Sequence, residues 1–140
     1  MIKSLTFTGE YGYIIDKNKE LLLKDICGRL PYKIRCYYYD ICLSAHCNGE
    51  IYGIENKKYA IVDGKCIAIE FIKPYLFPLS SMTEEQKEFL RRQNWCIAIS
   101  TSGTIETTIE GFDWLNKNHF DYRGLIPMDL AIDCTNLNIY

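Results

Sequence analysis

The stretch IRCYYYDICLS, residues 34–44, sends its side chains alternately to two faces and so predicts a β-strand. The apolar runs that follow, up to residue 72, are separated by Asn56-Lys57 and by Asp63-Gly64. Asp-Gly between apolar runs is a strong hairpin signal, because both residues tolerate the positive φ angles of a tight turn. We therefore expect three or four antiparallel strands, forming a curled sheet or a small barrel-like unit.

The alternation divides this first strand into two faces. One face would carry Ile34, Cys36, Tyr38, Asp40 and Cys42, and the other Arg35, Tyr37, Tyr39, Ile41 and Leu43. An exposed second face would be an apolar, aromatic contact surface of a kind that monomers rarely show.

Helical periodicity predicts a helix before these strands, over residues 19–30 (KELLLKDICGRL). Its apolar face would consist of Leu22, Leu23, Ile26, Cys27 and Leu30. Two short strands, LTFTG and YGYII, are expected ahead of it. Residues 73–82, with Pro74 and Pro78, read as an extended connector, because proline disfavours both helix and central strand.

Further helices are expected after residue 82. Thr83 and Gln86 have the spacing of a capping box at the start of a helix. WCIAIS, residues 95–100, is predicted as a buried strand, and a helix from about residue 105 to 118 should follow it. That helix would turn Ile105, Ile109, Phe112 and Leu115 inward, and a last short helix would start at Pro127.

The chain has 140 residues, the size of one domain. We expect a single α+β domain over residues 1–140, strand-rich over 1–72, a connector over 73–82, and helix-rich over 83–140. The sheet of the N-terminal half would pack with the helices of the C-terminal half.

Charge and cysteine content restrict the partners and the compartment. The net charge is −2 and neither half of the chain is strongly basic, which argues against binding to duplex nucleic acid. No stretch resembles a signal peptide or a membrane span, so we expect no membrane association. Seven cysteines without a regular framework suggest free thiols in a reducing, cytoplasmic compartment.

Neither a metal site nor a catalytic motif follows from the sequence. Cys36, Cys42, His46 and Cys47 lie close together, but they lack the paired spacing of a structural zinc site. No Gly-x-Ser-x-Gly, phosphate-binding glycine loop or His-Glu-x-x-His occurs. We therefore predict no cofactor and no metal, and a thiol- or metal-dependent enzyme remains only as an alternative.

Residues 112–126, FDWLNKNHFDYRGLI, combine aromatic side chains with an arginine. In a structural interpretation, Asn118 and His119 end a helix, a cationic His119 favours its C-terminal dipole, and Arg123 pairs with Asp121. In a binding interpretation, Arg123 and Tyr122 hold a phosphate or stack on a base. The candidate ligand-binding residues are Arg123, Tyr122, Tyr37, Tyr39 and Arg35.

Three blocks resemble a family of small proteins from phages, prophages and mobile elements of gut Bacteroidetes. The blocks are LLLKDICGRLPY (21–32), IKPYLFPLSSMTEEQ (72–86) and FDWLNKNHFDYRGLIPMDLAI (112–132). They cover about a third of the chain, and the tail DCTNLNIY departs from the family's acidic Pro-Gly ending. The resemblance implies a context, a phage accessory protein in the host bacterial cytosol, and assigns no residue a role.

This context leads to a hypothesis of function. We expect a non-catalytic binding protein for host takeover or defence evasion, which sequesters a small nucleotide-type signal. The alternative is a protein–protein interaction module that inhibits a host protein. A homo-oligomer, most simply a dimer, is also expected, because the strand CYYYDIC lacks the charges and prolines that protect an edge.

Overall fold

The computed structural model describes residues 16–99 and 105–140, so the predicted strands LTFTG and YGYII lie outside the described residues. The first element is the helix α1 (Asp16–Arg29). The others, in chain order, are β1 (Ile34–Asp40), β2 (Ala45–Glu55), β3 (Tyr59–Val62), β4 (Lys65–Ala68), β5 (Ile72–Pro78), α2 (Glu84–Gln93), β6 (Ala98–Ile99), β7 (Ile105–Glu106), α3 (Ile109–Lys117), β8 (Phe120–Asp121) and β9 (Ile132–Asp133).

The main sheet has the order β4-β3-β2-β1-β5-β8, with β9 also paired to β5. Each pair of adjacent strands among β1 to β5 is antiparallel. Strands β8 and β9 run parallel to β5. The expected α+β class is confirmed. Within the described residues the sheet is open and does not form a barrel. Strand β1 lies between β2 and β5, so it is central and needs no partner molecule to cover its edges.

The hairpin predicted at Asp63-Gly64 is confirmed, and the predicted break at Asn56-Lys57 is also a turn between paired strands. Asn56 and Lys57 connect β2 to β3 with φ angles of 54° and 56°, and Asp63 and Gly64 connect β3 to β4 with 51° and 86°. Glycine accepts such an angle without steric penalty, and Asp and Asn accept it more readily than most residues. These turns place three antiparallel strands side by side from local sequence alone.

The alternation of β1 is confirmed up to Asp40, where the strand ends earlier than predicted. Residues 34–40 alternate between buried and half-buried side chains. The Asp40 carboxylate then accepts the backbone N–H groups of Cys42 and Leu43, at 2.9 and 3.2 Å. This side-chain-to-backbone bonding starts a turn, as aspartate commonly does. Ile41 and Leu43 therefore lie in the turn rather than on a strand face.

The core lies between α1 and one face of the sheet. Leu22 and Ile26 of α1 are buried in the same cluster as Ile34, Cys36 and Tyr38 of β1. The predicted apolar face of α1 is thus confirmed at its centre, but Cys27 is exposed. The same helix also buries a charged pair, Asp25 and Arg29, at 0% and 1% exposure.

The predicted connector over residues 73–82 is wrong, because its first half is the central strand β5. Pro74 lies opposite Cys36 and is fully buried. Proline donates no hydrogen bond, and the β1–β5 ladder ends at this pair. Beyond it, the Arg35 N–H donates to the Tyr140 hydroxyl at 2.8 Å, and that hydroxyl donates to the Tyr75 carbonyl at 3.1 Å. A side chain from the end of the chain thereby bridges the two strands.

The C-terminal half contains the predicted capping box, since Thr83 and Gln86 cap α2 reciprocally. Other predictions for this half are wrong. Helix α3 begins only at Ile109, which is 84% exposed, and the predicted buried strand is the short, exposed β6. Residues 125–129 form turns and not a helix, because the Asp121 carboxylate accepts the N–H groups of Leu125 and Ile126, each at 2.9 Å.

Within residues 16–99 and 105–140, no helix combines the length and the apolar character that a bilayer span requires.

Candidate arginine site

Two arginines share one buried carboxylate at the end of α1. Arg29 donates to Asp25 through Nε at 2.8 Å and through Nη2 at 3.1 Å. Arg123, from the segment after β8, donates to the same carboxylate through Nη1 at 2.8 Å. We call Asp25, Arg29, Arg123 and Tyr122 the arginine cluster. Its three charged side chains carry one more positive than negative charge.

One donor of the cluster is left without a partner. Arg29 Nη2 also donates to the Phe120 carbonyl at 2.7 Å, but the buried Nη1 atom has no hydrogen-bond partner among the described residues. A buried polar group normally forms hydrogen bonds, because its desolvation is otherwise uncompensated. The arrangement therefore leaves a buried N–H donor without a partner among the described residues, beside a surplus positive charge.

Tyr122 lies against both guanidinium groups. Its ring centroid is 4.6 Å from the Arg123 Cζ atom and 5.2 Å from that of Arg29, and Phe112 packs at 5.3 Å. Its hydroxyl accepts from Arg123 at 2.9 Å and donates to Asn116 at 2.8 Å. Tyr122 therefore positions Arg123. With these three groups against its ring, it is poorly placed to stack on a nucleobase.

The cluster reaches solvent on the side of Arg123 and Gly28. The Arg123 side chain is 20% exposed, whereas Asp25 is fully buried. Gly28 is exposed, and a Cβ atom at this position would lie 3.7 Å from Arg123 Nη2. Arg123 consequently lies close along the surface of α1, and an approaching anion would meet it before Arg29.

Arg35, Tyr37 and Tyr39 lie on β1, so the predicted ligand-binding residues fall into two groups. All three are half-buried on the sheet face opposite α1. The Tyr37 ring stacks on His46 with centroids 5.0 Å apart and an interplanar angle of 4°. His46 is half-buried on β2. Of the five predicted ligand-binding residues, only Arg123 and Tyr122 belong to the arginine cluster.

His119 follows α3 with a φ of 66° and stacks on Tyr140, with ring centroids 3.5 Å apart. Burial, together with the positive charges of Arg29 and Lys33, lowers the pKa of His119 to about 4. The expected cationic cap is therefore wrong, because the ring is neutral near pH 7. Its neighbour Phe120 provides the carbonyl that accepts from Arg29.

The thiols show no sign of activation where their pKa is shifted. Burial raises the pKa of Cys36 to about 12 and that of Cys134 to about 11, and a hydrogen bond to Glu55 raises that of Cys66. An activated thiol needs the opposite shift. In the part of the chain that the structure describes, no three His, Cys, Asp or Glu side chains cluster as a metal site would require.

Two members of the cluster, Asp25 and Arg29, were absent from the sequence-based candidates. Their i,i+4 spacing is typical of an ion pair on a helix surface, and that signal could have identified the pair but not its burial. The predicted pairing of Arg123 with Asp121 is wrong. The Asp121 carboxylate is occupied by two backbone N–H groups, and Arg123 contacts Asp25 instead.

Comparison with protein-family models, with curated proteins and with solved structures found no match to this chain.

Proposed function

We propose that this protein is a non-catalytic binding protein that captures a small phosphate-bearing ligand of nucleotide type at the arginine cluster. The buried Arg29 Nη1 atom, which has no partner among the described residues, carries this proposal. It lies in a cluster whose arginines outnumber its carboxylates. An anion would supply both the missing acceptor and the missing negative charge.

The phosphate is the part of the ligand that the cluster suits. Guanidinium groups present planar pairs of donors that match the oxygens of phosphate, and such charge-assisted bonds are the strong ones. The Tyr122 ring already contacts Phe112 and both arginines. A nucleoside attached to the phosphate would therefore extend past Arg123 towards solvent.

The biological role in this proposal is sequestration. The resemblance of three sequence blocks to a phage-associated family supports an accessory protein of the host bacterial cytosol. A protein that removes a nucleotide-type signal needs binding residues and no catalytic group. The arginine cluster offers the former.

Titration calorimetry with inorganic phosphate, nucleoside monophosphates and cyclic dinucleotides tests the proposal. We expect at least one of these ligands to bind, and Arg123→Ala to abolish most of the affinity. Arg123→Lys should also weaken binding, because lysine keeps the charge and loses the planar fork. Arg92→Ala is the control, since the Arg92 side chain is 73% exposed on α2. Absence of binding across the panel, or equal loss in the control, would contradict the proposal.

A second measurement uses His119 as a reporter. After burial, the positive charge of Arg29 is the next largest cause of its lowered pKa. A bound anion would offset that charge and so raise the pKa of His119. Titration of the His119 ring by NMR, with and without the ligand, should show this shift. A ligand that binds elsewhere would leave the pKa unchanged.

The turn between β1 and β2 favours the alternative, a protein–protein interaction module. Ile41 and Leu43 are 62% and 60% exposed there, on a turn held by the Asp40 carboxylate. A host protein with an apolar pocket could accept these side chains at little entropic cost, because the turn is already ordered. Loss of a captured host protein in Ile41→Ser and Leu43→Ser, with Arg123→Ala retaining it, would favour this function.

A further inference from the structure

One edge of the Arg123 guanidinium donates no hydrogen bond within the described part of the chain. The Nη1 atom donates to Asp25 Oδ1 at 2.8 Å and to the Tyr122 hydroxyl at 2.9 Å, whereas Nε and Nη2 donate to no described acceptor. These two atoms form the same edge with which Arg29 binds Asp25. Arg123 therefore keeps a complete planar fork that can donate to two oxygens of one anion.

Gly28 of α1 borders this edge of Arg123. A Cβ atom at position 28 would lie 3.7 Å from Arg123 Nη2 and 4.0 Å from Nη1. Outside the helix backbone and the two neighbouring residues, no other described atom lies within 4 Å of that point. The Tyr122 ring already covers one face of the guanidinium, at 4.6 Å from Cζ. An anion that reaches Nε and Nη2 therefore passes close to position 28.

Neither the backbone nor the packing of the described residues requires a glycine at position 28. Gly28 lies inside α1 and its φ angle is not positive, so it is not the left-handed residue that often ends a helix. A distance of 3.7 Å is an ordinary van der Waals contact, so an alanine would fit. Glycine nevertheless weakens a helix more than any residue except proline. A residue that weakens its own element without a structural reason is typical of a functional position.

We propose that Gly28 controls the access of a phosphate to Arg123, and that the Nε–Nη2 edge takes two non-bridging oxygens of this phosphate. The inference rests on the proposed function, and it adds the contact atoms and the residue that limits the approach. It also narrows the ligand class, because two unesterified oxygens must lie on the same phosphorus atom. Phosphate monoesters and diesters meet this requirement, whereas a phosphate triester does not.

A longer side chain at position 28 would shield this edge. Helical side chains point towards the N-terminus and cover the turn that precedes them. Asp25 lies in that turn, three residues earlier and on the same face of the helix, and Arg123 binds it there. The new side chain would therefore lie against the guanidinium and cover Nε and Nη2, while the bond from Nη1 to Asp25 persists.

Titration calorimetry with inorganic phosphate and with a nucleoside monophosphate tests this role. Gly28→Gln should weaken binding by about tenfold or more, because it shields charge-assisted bonds, and Gly28→Ala should weaken binding less. Both variants should keep or raise the melting temperature, since alanine and glutamine favour a helix more than glycine does. Cys27→Gln is the matched control, because Cys27 is the exposed neighbour of Gly28 but lies on another face of the helix. It should leave the affinity unchanged.

Labelling with phenylglyoxal, a dicarbonyl compound that reacts with guanidinium groups, measures the access to Arg123 without any phosphate. Peptide mass spectrometry should show slower modification of Arg123 in Gly28→Gln than in the wild type or in Cys27→Gln. Arg92 is the internal reference, since its side chain is 73% exposed on α2. Its modification should be equal in all three proteins.

Unchanged or faster labelling of Arg123 in Gly28→Gln overturns the inference. Slower labelling with unchanged phosphate affinity overturns it as well, because the phosphate would then bind elsewhere. Equal weakening of phosphate binding in Cys27→Gln has the same consequence. If the wild type binds neither phosphate probe but Gly28→Gln still slows the labelling, the result supports the access role of Gly28 and counts against the proposed function.

Discussion

Asp25 and Arg123 are 98 positions apart in the chain, yet Arg123 Nη1 donates a hydrogen bond to Asp25 Oδ1 over 2.8 Å. Arg29 shares the same carboxylate, so one buried side chain of α1 connects this helix to the segment that follows β8. This connection holds the arginine cluster together. Among the described residues, it is the only cluster with a buried guanidinium N–H that has no hydrogen-bond partner. The stability of the fold and the proposed binding of an anion therefore depend on the same three charged side chains.

The first prediction concerns the stability of that cluster. Arg29→Met should lower the free energy of unfolding by about 3–5 kcal/mol, because it removes the main partner of a buried carboxylate. Arg123→Ala should cost less, about 1–2 kcal/mol, since Asp25 keeps Arg29. Urea unfolding measures both. Lys73→Met, which breaks a more exposed ion pair with Asp129, should cost about 1 kcal/mol or less. Equal effects for Arg29 and Lys73 would contradict this ranking.

Gly49 provides a prediction about close packing. A Cβ atom there would lie 2.7 Å from both Val62 Cγ1 and Asp63 Oδ2, within the β2–β3 contact. Gly49→Ala should therefore destabilise the fold by about 1–3 kcal/mol. Gly53→Ala on the same strand is the control, because its nearest neighbour would be Ile61 at 3.7 Å. Thermal unfolding that ranks the two variants equally would be inconsistent with this packing.

His119 gives the stability a specific pH dependence. Its pKa is lowered from 6.5 to about 4, so the unfolded chain binds more protons between these values. The contribution of His119 is therefore complete above pH 6.5 and is lost as the pH falls towards 4. At about 1.4 kcal/mol per pKa unit, the loss is at most about 3.5 kcal/mol, and solvent screening of the partly exposed ring makes it smaller.

Urea unfolding of the wild type and of His119→Asn, at neutral pH and at about pH 4, measures this loss. Asparagine tolerates the positive φ of this position and does not titrate. The carboxylates titrate in both proteins, so the difference between the two pH dependences isolates His119. Identical pH dependences would show that the His119 ring is not held neutral by the fold.

Tyr140 bridges β1 and β5 where the ladder stops at Pro74, and this predicts an effect of its hydroxyl. Tyr140→Phe should cost about 1–2 kcal/mol, because it leaves the Arg35 N–H and the Tyr75 carbonyl without this partner. The same substitution at Tyr52, which is 65% exposed, should change the stability little. Hydrogen exchange at the Arg35 amide should also accelerate in Tyr140→Phe alone.

The sequence predicted those features that depend on residues close together in the chain. The Asp63-Gly64 hairpin and the Thr83 capping box are confirmed, because each forms from a few neighbouring residues whose conformations are intrinsic. The apolar face of α1 is confirmed at Leu22 and Ile26 for the same reason. Tyr122 and Arg123, adjacent in sequence, were predicted together and do lie in one cluster.

Only the tertiary structure decided the features that depend on distant residues. Pro74 reads locally as a strand breaker, but β5 lies inside the sheet, and next to Pro74 the Tyr140 hydroxyl bridges the Arg35 N–H and the Tyr75 carbonyl. The spacing of Asp25 and Arg29 suggests a surface ion pair, but the fold buries both residues and brings Arg123 to the same carboxylate. His119 is neutral rather than cationic, since burial and nearby arginine charge outweigh the helix dipole. Burial and electrostatic surroundings are set by the whole fold, and local sequence does not contain them.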